Sequence, residues 1–127
     1  MSMLKVMIVD DEILTRIGMR SIIPWEEYGL QVVGEAEDGE QALGLAKEIV
    51  PDIVLADIMM PKMDGLIFIR ELKLIQPDCK FLILSCVDEV SYLQEAIKLG
   101  VSGYILKSAI EPQNMMEEVT RDRKSVV

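Results

Sequence analysis

The sequence predicts an α/β domain built on a parallel sheet. Three observations predict it. Five apolar runs recur at similar spacing, at 4–9, 31–36, 53–56, 81–84 and 103–106. Stretches with helical spacing of apolar residues separate them. The crossovers of roughly ten to twenty residues are too long for hairpins and suit repeated βαβ units.

The first run, Leu4 to Val9, is followed by Asp10, Asp11 and Glu12. Acids there favour a helix start, because they face the positive end of the helix dipole. Ile13, Ile17 and Ile22 supply the apolar pattern of that helix, and Pro24 stops it. Trp25 to Leu30 connects it onward, with Trp25 and Tyr28 expected to pack the segment down. The second run, Gln31 to Ala36, meets a turn at Asp38-Gly39. Ala42, Leu43, Leu45, Ala46 and Ile49 then give an amphipathic helix ending before Pro51.

The third run is Ile53, Val54, Leu55 and Ala56, closed by Asp57. A continuous apolar run of this length suits a strand buried on both faces. Pro61 and Asp64-Gly65 mark a loop and a helix start. That helix carries Leu66, Ile67, Ile69, Leu72 and Ile75 and stops before Pro77. The fourth run, Phe81 to Leu84, ends at Ser85. Asp88 reads as the N-cap of a helix carrying Val90, Leu93, Ala96 and Ile97, and Gly100 ends it. The fifth run, Gly103 to Leu106, ends at Lys107. Pro112 falls in the first turn of a last helix, where its missing N–H costs least. Met115, Met116 and Val119 form its buried side, and Arg121, Arg123 and Lys124 suit its C-terminal end.

Length and composition narrow the function. The chain has 127 residues, which predicts one domain, with a core from about Leu4 to about Arg123 and no second, output domain. Half of the residues are hydrophobic and only 5% are aromatic, so the core is aliphatic. The formal charge is −9 and the isoelectric point is about 4.5, which disfavours binding to nucleic acid or anionic lipid. No apolar run approaches the ~20 residues of a membrane span, and the start lacks a signal-peptide layout, so a cytoplasmic location is expected. Cys79 and Cys86 flank one strand, roughly 23 Å apart if extended, and are expected to be free thiols. There is no histidine, which excludes Ser-His and Cys-His pairs and His-ligated zinc.

In an open parallel sheet, ligands bind beyond the carboxyl ends of the strands. Strand one delivers Asp10 and Asp11 there, strand three Asp57, strand four Ser85 and strand five Lys107. Strand two offers Glu35 and Glu37, expected at the sheet edge. Taken singly, each has a plain reading: an N-cap pair, a strand-end hydroxyl, a solvated lysine. Together they are specific. Converging carboxylates repel unless a cation joins them. All-oxygen ligands select a hard ion, and Mg²⁺ fits because it takes one or two carboxylates and keeps waters and phosphate oxygens. Lys107 is a point-charge phosphate binder, and Ser85 can donate to a phosphoryl oxygen. A carboxylate nucleophile with a metal, a lysine and a hydroxyl makes a phosphoryl-acceptor site.

The sequence resembles the receiver (CheY-like) domain of two-component response regulators. VDDE at 9–12, VLADIMMPKMDG at 54–65, LS at 84–85 and GYILK at 103–107 carry the resemblance, which covers nearly the whole chain. It implies a flavodoxin-like (βα)5 doubly wound sheet with strand order 2-1-3-4-5. It implies that Asp57 accepts a phosphoryl group from a phosphohistidine on a sensor histidine kinase. Asp10, Asp11, Asp57 and the main-chain carbonyl of Met59 would hold Mg²⁺. Ser85 and Lys107 would bind the phosphoryl group, and Tyr104 would turn inward as a switch. The face of helix four, strand five and helix five would then change its affinity for partners, including a second copy of the chain. The stretch WEEYGLQVVGEAEDGEQAL (25–43) further resembles receivers attached to AraC-type helix-turn-helix output domains, through which DNA would be bound.

Three rival readings are weaker. A Mg²⁺-dependent phosphohydrolase would carry an acid two residues after its nucleophile, where this chain has Met59. A nucleotide-binding module would need glycines after strand one, where DDEILTRIG has too few. A pseudo-receiver would not need Asp57, Ser85 and Lys107 together. The chain is therefore expected to modify only itself and not to be an enzyme acting on other substrates. Ser108 follows Lys107 where many relatives have proline, so a trans bond is expected. Cys86 would place a thiol near the site, and Met59 and Val87 lie where relatives tune phosphoryl lifetime.

Overall fold

Ile53–Asp57 forms β3, and all five of its residues are buried. It lies in the middle of the sheet, which explains the absence of polar alternation in its sequence. The computed structural model describes residues 3–58, 63, 65–85 and 90–125. The other strands are β1 (Leu4–Val9), β2 (Leu30–Ala36), β4 (Lys80–Ser85) and β5 (Gly103–Leu106). Their order is β2-β1-β3-β4-β5, and every pairing is parallel. This is the flavodoxin-like, doubly wound order that the resemblance implies.

Five α-helices link and cover the strands: α1 (Ile13–Ile22), α2 (Gly39–Ile49), α3 (Gly65–Ile75), α4 (Val90–Lys98) and α5 (Pro112–Ser125). Short 3₁₀ turns occupy Trp25–Tyr28 and Lys107–Ala109. Alternate residues of each strand point to opposite faces, so the sheet separates two cores. On one side Met7, Val9, Val54, Ala56, Phe81 and Ile83 meet Ala42 and Ala46 of α2, Phe68, Ile69 and Leu72 of α3, and Ala96 of α4. On the other, Val6, Ile8, Leu55, Leu82 and Leu84 meet Met19 and Ile23, Trp25, and the Met115–Met116–Val119 stripe of α5. That stripe matches the expectation for the last helix, and Pro112 is its first residue.

The first helix turns differently from expectation. Ile13, Ile17 and Ile22 are exposed, while Met19 and Ile23 are buried. The segment ILTRIGMRSII is apolar around much of its circumference, so spacing alone does not select a face. The stripe 15–19–23 faces the sheet, at one residue per turn. Tyr28 is also exposed, and Trp25 alone packs the connection down, with its indole N–H donating to the Met19 carbonyl at 3.0 Å. In α3, Phe68 takes a central core place, whereas Ile67 and Ile75 lie toward solvent, as does Ile97 in α4. The expected helix-start residues Asp64 and Asp88, and Pro61, lie outside the described residues, as do the side chains of Val90 and Leu93 and of Arg121, Arg123 and Lys124. Cys79 is a buried free thiol, whose burial pushes it up to about 12, and Cys86 lies outside the described residues.

Strand register sets the height of each polar strand end. Val9 pairs with Ala56, which puts Asp10 level with Asp57. Asp57 pairs with Leu84, so Ser85 stands one residue higher. Ser85 pairs with Leu106, so Lys107 stands higher again and must reach back down.

Candidate functional site

The carboxyl ends of β1 and β3 lie side by side, and the chain leaves them toward opposite edges of the sheet. The crevice between such strands is where doubly wound sheets bind ligands. Asp10 (0% exposed) and Asp57 (3%) occupy it, and Ser85 (0%) ends the next strand. Buried carboxylates are costly unless paired or bonded. The Lys107 ammonium answers this, standing 3.0 Å from Asp57 Oδ2 and 3.2 Å from Asp10 Oδ2. It also stands 2.7 Å from Glu12 Oε1.

The acidic turn after β1 is held from several sides. Asp10 Oδ1 accepts the Glu12 N–H at 2.8 Å. The Arg16 guanidinium donates to the Asp10 carbonyl and, at 3.1 Å, to Glu35 Oε1. Arg20 donates to the other Glu35 oxygen at 2.6 Å. Glu35 on the edge strand therefore braces the site from behind and does not enter it. Asp11 lies exposed beside Asp10.

Two glycines hold the chain beyond β3. The Gly65 N–H donates to the Ile58 carbonyl at 2.8 Å, and the Gly39 N–H to the Met63 carbonyl at 2.9 Å. A Cβ on Gly65 would stand 2.2 Å from the Asp57 carbonyl oxygen, and one on Gly39 would stand 2.2 Å from the Met63 carbonyl oxygen. Only glycine lets these backbones approach so closely. Met63 is held at Gly39 through its main-chain carbonyl, and its side chain packs against the core.

Burial raises Asp10 above the usual carboxylate range, more than the Glu12 amide and the Lys107 charge lower it. Burial alone would lower Lys107. The hydrogen bonds to Glu12 and Asp57 and the charges of Asp57 and Asp10 outweigh it and hold the ammonium above the usual lysine value. Lys107 is therefore a permanent cation. The Ser85 hydroxyl is buried with no hydrogen-bond partner among the described residues. A buried hydroxyl in that condition has a donor to offer a ligand.

Carboxylate oxygens of Asp10, Asp11 and Glu12 all lie within 4.8 Å of one another. Together with Asp57 beside Asp10, this all-oxygen set fits a hard divalent ion. The chemical capacity is thus one buried carboxylate nucleophile with a fixed ammonium and an acidic, cation-attracting mouth.

Asp10, Asp57 and Lys107 are brought together as the sequence implied, and Ser85 is set at the adjoining strand end. Tyr104 is 47% exposed and stands outside the cluster, over a cleft lined by Asn114, Glu117 and Glu118. Met59 and Val87 lie outside the described residues. The Lys107–Ser108 bond is trans, as expected, with no cis peptide among the described residues. Glu12 and Arg16 were missed as site residues. Glu12 follows two acids at a helix start, so its sequence position reads as a dipole contact. Yet it makes no capping hydrogen bond among the described residues and turns to Lys107.

No helix among the described residues is long and apolar enough to cross a membrane. The chain is 37% identical over 124 residues to the uncharacterized transcriptional regulatory protein YesN of Bacillus subtilis, covering 96% of this chain and 34% of YesN. It therefore spans about a third of that relative's length. The receiver domain of the response regulator AraT from Geobacillus stearothermophilus superposes with a TM-score of 0.89 at 41% identity, covering 97% of this chain and 95% of that one. A two-component transcriptional regulator AraC from Clostridium phytofermentans superposes at 0.85 with 32% identity, covering 97% and 95%. The model of the response regulator receiver domain matches residues 6–120, a span that runs from within β1 through most of α5 and includes Asp10, Asp11, Asp57, Ser85 and Lys107. With the strand order, the acid-lysine cluster and these matches in agreement, the chain belongs to the response regulator receiver domain family of two-component signalling.

Proposed function

We propose that Asp57 is the phosphoryl acceptor of this receiver, taking the group from a phosphohistidine on a sensor histidine kinase. The observation that carries the reading is the Lys107 ammonium 3.0 Å from a nearly buried Asp57 carboxylate. An oxygen of Asp57 attacks phosphorus, and the P–N bond to the donor imidazole breaks. The electron pair leaves on that nitrogen, and the product is an aspartyl phosphate. Asp10 and Asp11, with Asp57 and the Met59 carbonyl, would hold Mg²⁺. When bound, the ion neutralises the acids and the phosphoryl oxygens. Lys107 pairs with one phosphoryl oxygen, and the Ser85 hydroxyl donates to another.

The product adds negative charge where Ser85 and Lys107 can rearrange around it. One arrangement satisfies that charge better, and the population shifts toward it. Tyr104 then moves from its exposed position toward Ser85, and the α4-β5-α5 face changes its affinity for a second copy or another partner. Similarity to transcriptional regulators supports a role in controlling transcription, with DNA bound through an output domain and not by this acidic chain. The working compartment is the cytoplasm, where sensor kinases present their phosphohistidine. No other substrate is turned over, because Met59 stands where a phosphohydrolase needs an acid.

Beryllofluoride with Mg²⁺ tests the site. It should bind one equivalent to the wild-type chain and none to Asp57→Ala that has kept its fold. Binding unaffected by Asp57→Ala would contradict the assignment.

A further inference from the structure

Lys107 is engaged by one acid more than the acceptor reaction calls for. Its nearest carboxylate is not Asp57 but Glu12, at 2.7 Å against 3.0 Å, with Asp10 at 3.2 Å. Asp10 and Asp57 are buried strand-end acids, whereas the Glu12 side chain is 61% exposed. Glu12 stands at the N-cap position of α1 without capping it, and its carboxylate crosses instead to a lysine 95 residues away in sequence. Resting on the acceptor reading, we propose that Glu12 is a positioning residue that holds the Lys107 ammonium toward the rim of the site and yields it when a phosphoryl group arrives on Asp57.

An ammonium has three donor hydrogens, and three carboxylates surround this one. A phosphoryl group adds further acceptor oxygens and up to two negative charges. Transfer spends one Asp57 oxygen on the new bond and removes that carboxylate's charge, so Lys107 turns to the more highly charged phosphoryl oxygens and its hold on Asp10 or Glu12 loosens. Water can resolvate the exposed Glu12 at little cost, while the remaining carboxylate, Asp10, is shut away from it. Glu12 is therefore the partner released. Its hold on Lys107 opposes occupation of the site, so removing it favours the occupied state.

The test is a beryllofluoride titration at saturating Mg²⁺ with the full chain, read by fluorine NMR or calorimetry. Glu12→Gln should bind about threefold tighter than wild type, the scale of one exposed ion pair. Glu12→Asp keeps the charge but is one methylene too short, and it should also bind tighter. In the metal-free chain, the nitrogen resonance of the Lys107 ammonium should shift in both variants. Unchanged affinity in Glu12→Gln, or Glu12→Asp matching wild type, would overturn the proposal, the second by showing a plain charge effect. Weaker binding by Glu12→Gln would also overturn it, making Glu12 a cation ligand. If wild type itself bound no beryllofluoride, the acceptor reading would fall first, and the wild-type arm alone shows that.

Discussion

Replacing Gly65 with alanine should damage both stability and function, because Gly65 lies against the backbone that carries Asp57. The added methyl would stand 2.2 Å from the Asp57 carbonyl oxygen, 2.9 Å from the Ile58 Cα and 3.1 Å from the Asp57 carbonyl carbon. Comfortable contact begins near 3.5 Å, so the start of α3 and the end of β3 must separate by about 1 Å. All three neighbours are main-chain atoms and cannot rotate away. Overpacking of this kind costs about 1–3 kcal/mol. Stretching the 2.8 Å hydrogen bond from Gly65 to Ile58 adds up to about 1 kcal/mol. Alanine's better helix propensity returns less than about 1 kcal/mol at a helix start. The net expectation is a loss of about 2 kcal/mol, read as a lower urea midpoint at unchanged slope. The same shift moves Asp57, and a misplacement of about 1 Å can slow a positioned reaction about 100-fold. A Gly65→Ala chain with wild-type stability and wild-type phosphoryl uptake would refute the steric reasoning.

Two further predictions concern buried titratable groups. Asp10→Asn keeps an acceptor for the Glu12 amide but removes a charge that burial disfavours. It should stabilise the metal-free chain near neutral pH by about 1 kcal/mol and abolish stabilisation by Mg²⁺. The folded chain holds the Asp10 proton more tightly than the unfolded chain does. That contribution is therefore lost as pH rises through Asp10's raised value, and urea melts of Asp10→Asn should lack that fall. Cys79 is raised from 9.0 to about 12. Its neutral thiol contributes stability below about pH 9 that is lost as pH rises toward 12, with an upper bound of about 4 kcal/mol. Cys79→Ala should show a shallower alkaline decline, and an identical decline would remove Cys79 as its cause.

The strands were legible because a parallel sheet covered on both faces requires continuous apolar runs, and 53–56 is such a run. Asp10, Asp57, Ser85 and Lys107 were legible as strand ends, since the direction of a parallel sheet puts all its carboxyl ends together. Glu12 was not, because its side chain serves a residue far away in the sequence and its local position has a sufficient local explanation. The face of α1 was misjudged because Ile13, Leu14 and Ile17 are as apolar as the Met19 and Ile23 that are buried. Which side faces the sheet depends on the packing of β1 and β3, and no local spacing encodes that. Gly65 was read as a turn residue; that it lies against the Asp57 carbonyl became visible only in three dimensions.

The central claim is that Asp57 accepts a phosphoryl group in a reaction that depends on Mg²⁺. Intact-mass spectrometry of the chain after incubation with a small phosphodonor tests it most directly. The chain should gain one phosphoryl group in the presence of Mg²⁺, none when the ion is chelated, and none in folded Asp57→Ala. A folded wild-type chain that gains no mass with Mg²⁺, or an Asp57→Ala chain that gains it equally, would contradict the claim.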